Sequence, residues 1–353
     1  MTRPPSRKAT SQDVADLAGV SRSAVSLVLN GRGDGNIAPD KQAAIRAAAA
    51  QLEYEPNPSA VSLRSSRTRT LGLVTDAIAS TAYGGELLRG ASEAAERSGH
   101  LLVLVDTHDE EQREVDAYRT LRARRVDGLL FAAMSLREYA VPEAAAGVPF
   151  VLANCYDPTR PTVPAFVADE VAGGRAAARL LLDAGHRDLV LLAGARDAVA
   201  STLREDGARE ELAAAGLPAL RTVETGWDIS DGFAAATAVL TSPGRPTALV
   251  CANDRVAVGA VLAAGRLGLD VPGDLSVVGY DDDAALAAPM VPALTTIVLP
   301  HRQIGEAAVA RVLADLGGGA DAPQTGHGTV LVPCPVVVRD SVAPPQRGGA
   351  ASR

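Results

Sequence analysis

Arg22, Ser23 and Ser26 share the outward side of a short amphipathic helix. Their guanidinium and hydroxyl groups can hydrogen-bond to the base edges or phosphates of DNA. Gly19 lies in the turn before this helix, and residues 10–18 form another helix with one apolar side. Two helices joined by such a turn are typical of helix-turn-helix proteins, whose second helix enters the major groove. The alternative is a helical hairpin that only packs against the rest of the protein.

No residue pattern indicates catalysis, a bound metal or a cofactor. The five histidines are scattered along the chain, which has neither a Gly-x-Ser-x-Gly motif nor a phosphate-binding loop. Lysine occurs only at Lys8 and Lys41, so no lysine beyond them can form a Schiff base. The many carboxylates could still include a hydrolase pair in a cleft. We therefore expect a protein that is not an enzyme and uses no cofactor.

Charge is distributed unevenly along the 353 residues, whose net charge is −8. Residues 1–70 contain ten Arg or Lys against six Asp or Glu, which leaves the remainder strongly acidic. A basic head on an acidic body suits a local contact with DNA. Three isolated cysteines, Cys155, Cys251 and Cys334, favour a reduced, cytoplasmic compartment. We expect no signal peptide and no membrane span, because no apolar stretch is long enough.

The elements that would position these groups change in character along the chain. A third helix is predicted from Pro39 to about Leu52, and residues 56–70 form a linker rich in Pro, Ser and Arg. From Leu71 onward, short continuous apolar runs alternate with helical stretches, which predicts parallel sheets covered on both faces. The strands are too many for one compact sheet, so we expect two similar α/β halves that divide near Val167.

The order of these parts resembles the lac repressor family of bacterial transcription regulators. The resemblance rests on DVADLAGVSRSAVSLVLN at residues 13–30 and on YEPN at residues 54–57. It continues with LVCANDRVAVG, DLSVVGYDD and PALTTI in the second half of the chain. The family implies a homodimer with an α-helical headpiece and an α/β core. That core consists of two doubly wound parallel-sheet subdomains, as in periplasmic sugar-binding proteins.

The resemblance also implies domain limits, with three crossings of the chain between the two core subdomains. The expected parts are a helix-turn-helix headpiece (residues 9–55), a hinge helix and linker (56–70) and a core (71–340). The composition of the tail (341–353), which is rich in Pro, Gly, Ser and Arg, predicts that it is disordered. Within the core, the N-subdomain would comprise about residues 71–167 and 299–327, and the C-subdomain about 168–298 and 328–340.

By resemblance, Arg22 and Ser23 would read base edges in the major groove, where Arg can bind guanine through two hydrogen bonds. Leu27 departs from the family, because most relatives have an arginine there. In the hinge, Leu63 would enter the minor groove and kink the operator DNA, although a flexible linker with an incidental leucine is the alternative. The implied DNA contacts are Thr10, Ser21, Arg22, Ser23, Ser26, Asn30, Ala60, Leu63 and Arg64.

The resemblance further places a small-molecule effector between the subdomains, at the carboxyl ends of the strands. The implied effector contacts are Asp76, Tyr83, Asn154, Arg204, Trp227, Asn253 and Asp281. Their carboxylate, amide and guanidinium groups can bind vicinal hydroxyls, and Trp227 can cover the apolar face of a sugar ring or a base. Tyr83 ends the segment Thr-Ala-Tyr, where many relatives have Asn-Pro-Phe. A carbohydrate is the expected effector, although Trp227 and Asp281 could each be purely structural.

These expectations describe a repressor whose binding to double-stranded operator DNA is controlled by its effector. The effector would shift the two subdomains and so bias the equilibrium between ordered and disordered hinge helices. Release of DNA on effector binding is the favoured direction. The alternative function is a sugar or nucleoside receptor without gene control, which explains the core but not the headpiece.

Overall fold

The structure is a computed structural model that describes residues 9–54, 67–80, 84–317 and 328–346. The chain divides into two compact units, Met1–Arg69 and Thr70–Arg353. The described part of the first unit is helical, and the second unit is built around two β-sheets.

The first unit contains the helices α1 (Ser11–Ala18), α2 (Arg22–Leu29) and α3 (Pro39–Gln51). Thr10 begins α1 through a capping box with Asp13, and Gly19 ends it in the left-handed region at φ 64°. Small apolar side chains from all three helices fill the core, namely Val14, Ala15, Ala24, Val25, Val28, Ile45, Ala48 and Ala49. The predicted helix-turn-helix with a third helix is confirmed.

The second unit alternates strands and helices in its described part. Its strands are β1 (Thr70–Thr75), β2 (Leu101–Asp106), β3 (Gly128–Glu138), β4 (Phe150–Tyr156), β5 (Ala165–Ala168), β6 (Leu189–Ala193), β7 (Arg221–Glu224), β8 (Ala248–Cys251), β9 (Ser276–Asp281), β10 (Thr295–Val298), β11 (Thr329–Val332) and β12 (Val336–Val337). Its α-helices are α4 (Gly85–Arg97), α5 (Glu111–Ala123), α6 (Glu170–Asp183), α7 (Val199–Ala214), α8 (Ile229–Thr241), α9 (Asp254–Arg266) and α10 (His301–Gly317).

Two six-stranded sheets organise this unit. The first has the order β11-β5-β4-β3-β1-β2, and all its neighbouring strands are parallel. The second has the order β12-β10-β9-β8-β6-β7, in which only the β10–β12 pair is antiparallel. Inner strands such as β6 are buried along their whole length, as expected for parallel sheets. The predicted fold class, two doubly wound α/β subdomains with a small helical headpiece, is confirmed.

The chain crosses between the two sheets after β5, after β10 and between β11 and β12. The third crossing therefore lies a few residues later than predicted, and the assignment of residues 328–332 to the C-subdomain is wrong. β11 extends the first sheet, where Val330 lies opposite Phe166 of the parallel strand β5. An edge strand of four residues carries too little pattern to show which sheet it joins, because only tertiary pairing decides that.

The predicted disorder from residue 341 onward is wrong for residues 341–346. Ser341 is fully buried, and its hydroxyl accepts a hydrogen bond from Thr295 N at 2.9 Å and donates one to Val277 O at 2.6 Å. Farther along, His186 Nε2 donates to Ala343 O at 2.9 Å. These bonds attach the segment to the second sheet, whereas residues 347–353 lie outside the described residues.

Candidate functional site

The outward face of α2 is the first candidate site. Arg22, Ser23 and Asn30 are exposed, while Ser26 and Leu27 are partly exposed. The opposite face supplies Ala24, Val25 and Val28 to the core of the headpiece. Because residues 22, 23, 26, 27 and 30 recur at helical spacing, their side chains form one continuous surface. The structure thus brings together Arg22, Ser23, Ser26 and Asn30 as predicted site residues.

Hydrogen bonds within the headpiece fix the ends of α1 and α2. The Thr10 hydroxyl accepts from Asp13 N at 3.3 Å, and the Ser21 hydroxyl accepts from Ala24 N at 3.2 Å. At the other end of α2, Asn30 Nδ2 donates to Ser26 O at 2.6 Å. These side chains therefore orient the helices, and their predicted contacts with DNA stay predictions. Ala60, Leu63 and Arg64 of the hinge lie outside the described residues.

A buried ion pair occupies the carboxyl edge of the second sheet. The Arg204 Nε and Nη2 atoms donate to the two carboxylate oxygens of Glu170 at 2.7 and 3.0 Å, and Arg204 Nη1 donates to Ala252 O at 2.6 Å. The guanidinium lies 3.6 Å from the centre of the Tyr280 ring. Burial opposes the charge of this guanidinium, but the adjacent Glu170 carboxylate raises the pKa of Arg204 above its ordinary value. Arg204 is consequently charged and held in one orientation.

Two glycines allow the helices that carry this pair to approach each other. A Cβ atom on Gly174 of α6 would lie 2.0 Å from Arg204 O, and one on Gly207 of α7 would lie 2.0 Å from Val171 O. Any larger residue at either position would push the two backbones apart. The close packing of α6 on α7 therefore brings Glu170 within reach of Arg204.

Asp281 and His301 add two polar groups beside the ion pair. Asp281 ends β9 at φ 113°, a backbone conformation that residues other than glycine rarely adopt. The residue is partly exposed. Desolvation raises the pKa of Asp281 well above its ordinary value, although the Arg204 charge opposes the shift. Burial lowers the pKa of His301 to about 4, so the imidazole is neutral near pH 7. Within the described residues, His301 Nε2 is buried without a hydrogen-bond partner.

Trp227 and Asn253 lie together on loops that follow β7 and β8. The Asn253 amide donates to Trp227 O at 3.0 Å, and its oxygen accepts from Val256 N at 2.8 Å, which begins α9. The Trp227 indole covers Gly194, where an added Cβ would lie 2.3 Å from the ring. Asn253 therefore holds the loop that carries Trp227, in addition to any contact with an effector.

The remaining predicted residues form a second group, at the carboxyl edge of the first sheet. The Asp76 carboxylate accepts from Met134 N at 3.0 Å and lies 3.5 Å from Arg137 Nη2. Asn154, which has φ 58°, donates to Ala133 O and to Met134 O at 3.0 and 3.2 Å. Asp76 and Asn154 are thus brought together around Met134. The predicted contact Tyr83 lies outside the described residues.

Three residues of these groups are absent from the predicted site, namely Glu170, Arg137 and His301. Glu170 lies two residues after the end of β5 and begins α6, so its position between a strand and a helix was a usable signal. Arg137 lies inside a long strand, and His301 begins α10 after the second crossing. For these two residues the sequence offers no local pattern, because only the fold brings them to the strand ends.

Comparisons with known proteins match both the headpiece and the core. Residues 10–57 match the family of bacterial regulatory proteins named the lacI family, and residues 178–342 match a periplasmic binding protein-like domain. The chain is 35% identical over 305 residues to the ribose operon repressor of Escherichia coli K12, covering 85% of this chain and 91% of that one. It is 32% identical over 321 residues to the transcriptional repressor PurR of Yersinia pestis, covering 90% and 93%.

Solved structures show the same relationship. The crystal structure of the lac repressor dimer bound to operator and an anti-inducer matches with a TM-score of 0.78 at 29% identity, covering 96% of this chain and 100% of that one. These relatives are transcriptional repressors rather than enzymes. No helix in the described residues is long and apolar enough to cross a membrane. The shared headpiece, the shared core and this extent of identity show that the chain belongs to the lacI family of bacterial regulatory proteins.

Proposed function

We propose that this protein is a cytoplasmic repressor that binds a palindromic operator as a homodimer and responds to a small polar effector, a sugar. The observation that carries the proposal is the exposed and largely polar face of α2, which is held by capped helix ends and backed by a closed apolar core. A packing hairpin would not need an exposed arginine and serine at the start of its second helix. The relatives support the same function, since one is an operon repressor and the other a transcriptional repressor.

On the operator, Arg22 and Ser23 contact base edges at the amino-terminal end of α2. Thr10, Ser21, Ser26 and Asn30 lie near phosphates, and such contacts position the helix without specifying sequence. The hinge adds Ala60, Leu63 and Arg64 in the minor groove, where an inserted leucine unstacks a base step and bends the duplex.

The effector lies between the carboxyl edges of the two sheets. His301 Nε2 is buried and has no hydrogen-bond partner within the described chain, so its hydrogen-bonding capacity is open to a hydroxylated ligand. The Asp281 carboxyl group lies close enough to interact with the same Arg204 guanidinium. Arg204, fixed by Glu170, presents its charge beside them. From the facing edge, Asp76 and Asn154 supply further polar groups, while Tyr83 and Trp227 cover the apolar face of the ring.

Effector binding changes the relation between the subdomains. Leu136 and Val167 of the first sheet form an apolar contact with Ala200 of α7, the helix that carries Arg204. A ligand that prefers one arrangement of the two subdomains shifts the population towards that arrangement. We propose that the arrangement that binds the effector is the one that releases the operator.

A homodimer supplies two headpieces to the two halves of a palindrome. Its interface includes the edge strand β2, on which Leu101 is 64% exposed and Leu104 39% exposed, and the helix α9, on which Leu262 is 54% exposed. Unpaired apolar edges of this kind are unusual on isolated monomers. Leu101→Glu combined with Leu262→Glu is expected to give monomers by sedimentation and to weaken operator binding.

The test of the proposed function is selection of bound DNA from a random pool by the full chain, with and without members of a panel of sugars and nucleosides. A roughly palindromic site whose occupancy falls with one sugar supports the proposal. Binding that depends only on salt and not on sequence contradicts it. A variant lacking residues 1–69 is the control, because it should lose the operator and retain the sugar. If only a nucleoside lowers the occupancy of the site, the effector is a nucleoside and not a sugar.

A further inference from the structure

Leu27 is an apolar side chain on the otherwise polar face of α2. It follows Ser23 by one helical turn and is partly exposed. The buried headpiece core, and the partly buried side chains packed against it, include Leu29 but not Leu27 within the described residues. Core packing therefore does not account for a leucine here. Its apolar surface is removed from water when another apolar group covers it.

We infer that Leu27 contacts the C5-methyl group of a thymine in each half of the operator. This inference rests on the proposed function, in which α2 enters the major groove. Thymine alone places an apolar group on the major-groove edge, whereas guanine, cytosine and adenine place donors and acceptors there. Leucine can satisfy no donor or acceptor, so it disfavours the polar edges and favours the methyl group.

The position of Leu27 separates its contact from that of Arg22. The two residues are five positions apart on a short helix and lie towards opposite edges of its exposed face. Arg22 begins α2 and is suited to guanine, while Leu27 lies one turn farther along. The operator half-site therefore contains a guanine and a thymine that are read by different side chains.

The inference is tested on the operator selected by the full-length protein. Each thymine of the half-site is replaced in turn by deoxyuridine, which removes only the methyl group. At one position, this change should weaken binding of the wild-type protein about fourfold, which corresponds to about 0.8 kcal/mol for one buried carbon group. Replacement in both half-sites should weaken it about 15-fold. Leu27→Ala should bind both DNAs with nearly equal affinity.

Two further variants make the result specific. Leu27→Arg should enrich guanine in place of that thymine when the selection is repeated, because arginine binds guanine through two hydrogen bonds. Leu17→Ala, which changes a leucine of α1 that is 48% exposed, should keep the wild-type response to deoxyuridine. If a palindrome is selected but deoxyuridine never distinguishes wild type from Leu27→Ala, the inference is wrong and the proposed function stands. If no specific site is selected, both fail.

Discussion

Removal of the Glu170 carboxylate should strongly destabilise the core of the protein. In the Arg204–Glu170 pair, only 9% of the arginine side chain and 2% of the glutamate side chain are exposed. Glu170→Ala leaves the Arg204 guanidinium charged and buried with one remaining backbone acceptor, Ala252 O. Loss of one partner from a buried pair costs about 3–5 kcal/mol, whereas loss of an exposed pair costs about 0–1 kcal/mol. Because both groups are buried, the larger cost applies to this pair.

The two helices that carry this pair provide a matched control. Arg175 of α6 and Glu210 of α7 also form an ion pair, but 44% and 57% of their side chains are exposed. Glu210→Ala removes a glutamate of the same type from the same helix interface, and should change the free energy of unfolding by less than about 1 kcal/mol. The two variants therefore differ mainly in the burial of the charge that is left unpaired.

Urea denaturation of the full chain, followed by circular dichroism, measures both effects at a fixed protein concentration. The expected result is a large drop in the denaturation midpoint for Glu170→Ala and almost none for Glu210→Ala. Glu170→Gln should fall between them, because it keeps one acceptor oxygen for the guanidinium. Equal midpoints for Glu170→Ala and Glu210→Ala would refute the reasoning, since the buried arginine would then not need its carboxylate.

Three other perturbations test the helix contact, a buried carboxyl and the hinge. Gly174→Ala should lower stability by about 1–3 kcal/mol in urea, whereas Gly265→Ala, where an added Cβ meets nothing within 4 Å, should not lower it. Burial raises the pKa of Asp254 to about 7, so the native state holds a proton that the unfolded chain has released, and stability should fall as pH rises from about 4 to 7. Asp254→Asn should reduce the dependence of stability on pH. An unchanged dependence would show that other titratable groups cause it. Leu63→Ala should reduce both the affinity for the selected operator and the bending of that DNA in gel mobility assays. Retention of both would contradict the proposed insertion of Leu63 into the minor groove.

The secondary structure was predictable because local chemistry determines it. Thr10 and Ser21 are good helix caps, Gly19 permits the turn, and the helix limits follow from these residues. The inner strands were equally visible, since continuous apolar runs of four to seven residues have few other uses in a chain with helices between them. The short edge strand β11 was misplaced, because its pattern fits either sheet.

The chemistry of the site was only partly predictable, because its groups are joined by tertiary packing. Arg204 could be named by resemblance, yet its partner Glu170 is 34 residues away and meets it only because Gly174 and Gly207 let two helices touch. Side chains with satisfied hydrogen bonds, such as Asn253, hold local backbone segments in place, which their positions in the sequence did not reveal. His301 differs from them, because its Nε2 atom is buried without a hydrogen-bond partner within the described chain. Because a buried polar group without a partner is costly, we expect the proposed hydroxylated effector to gain most by hydrogen-bonding to His301.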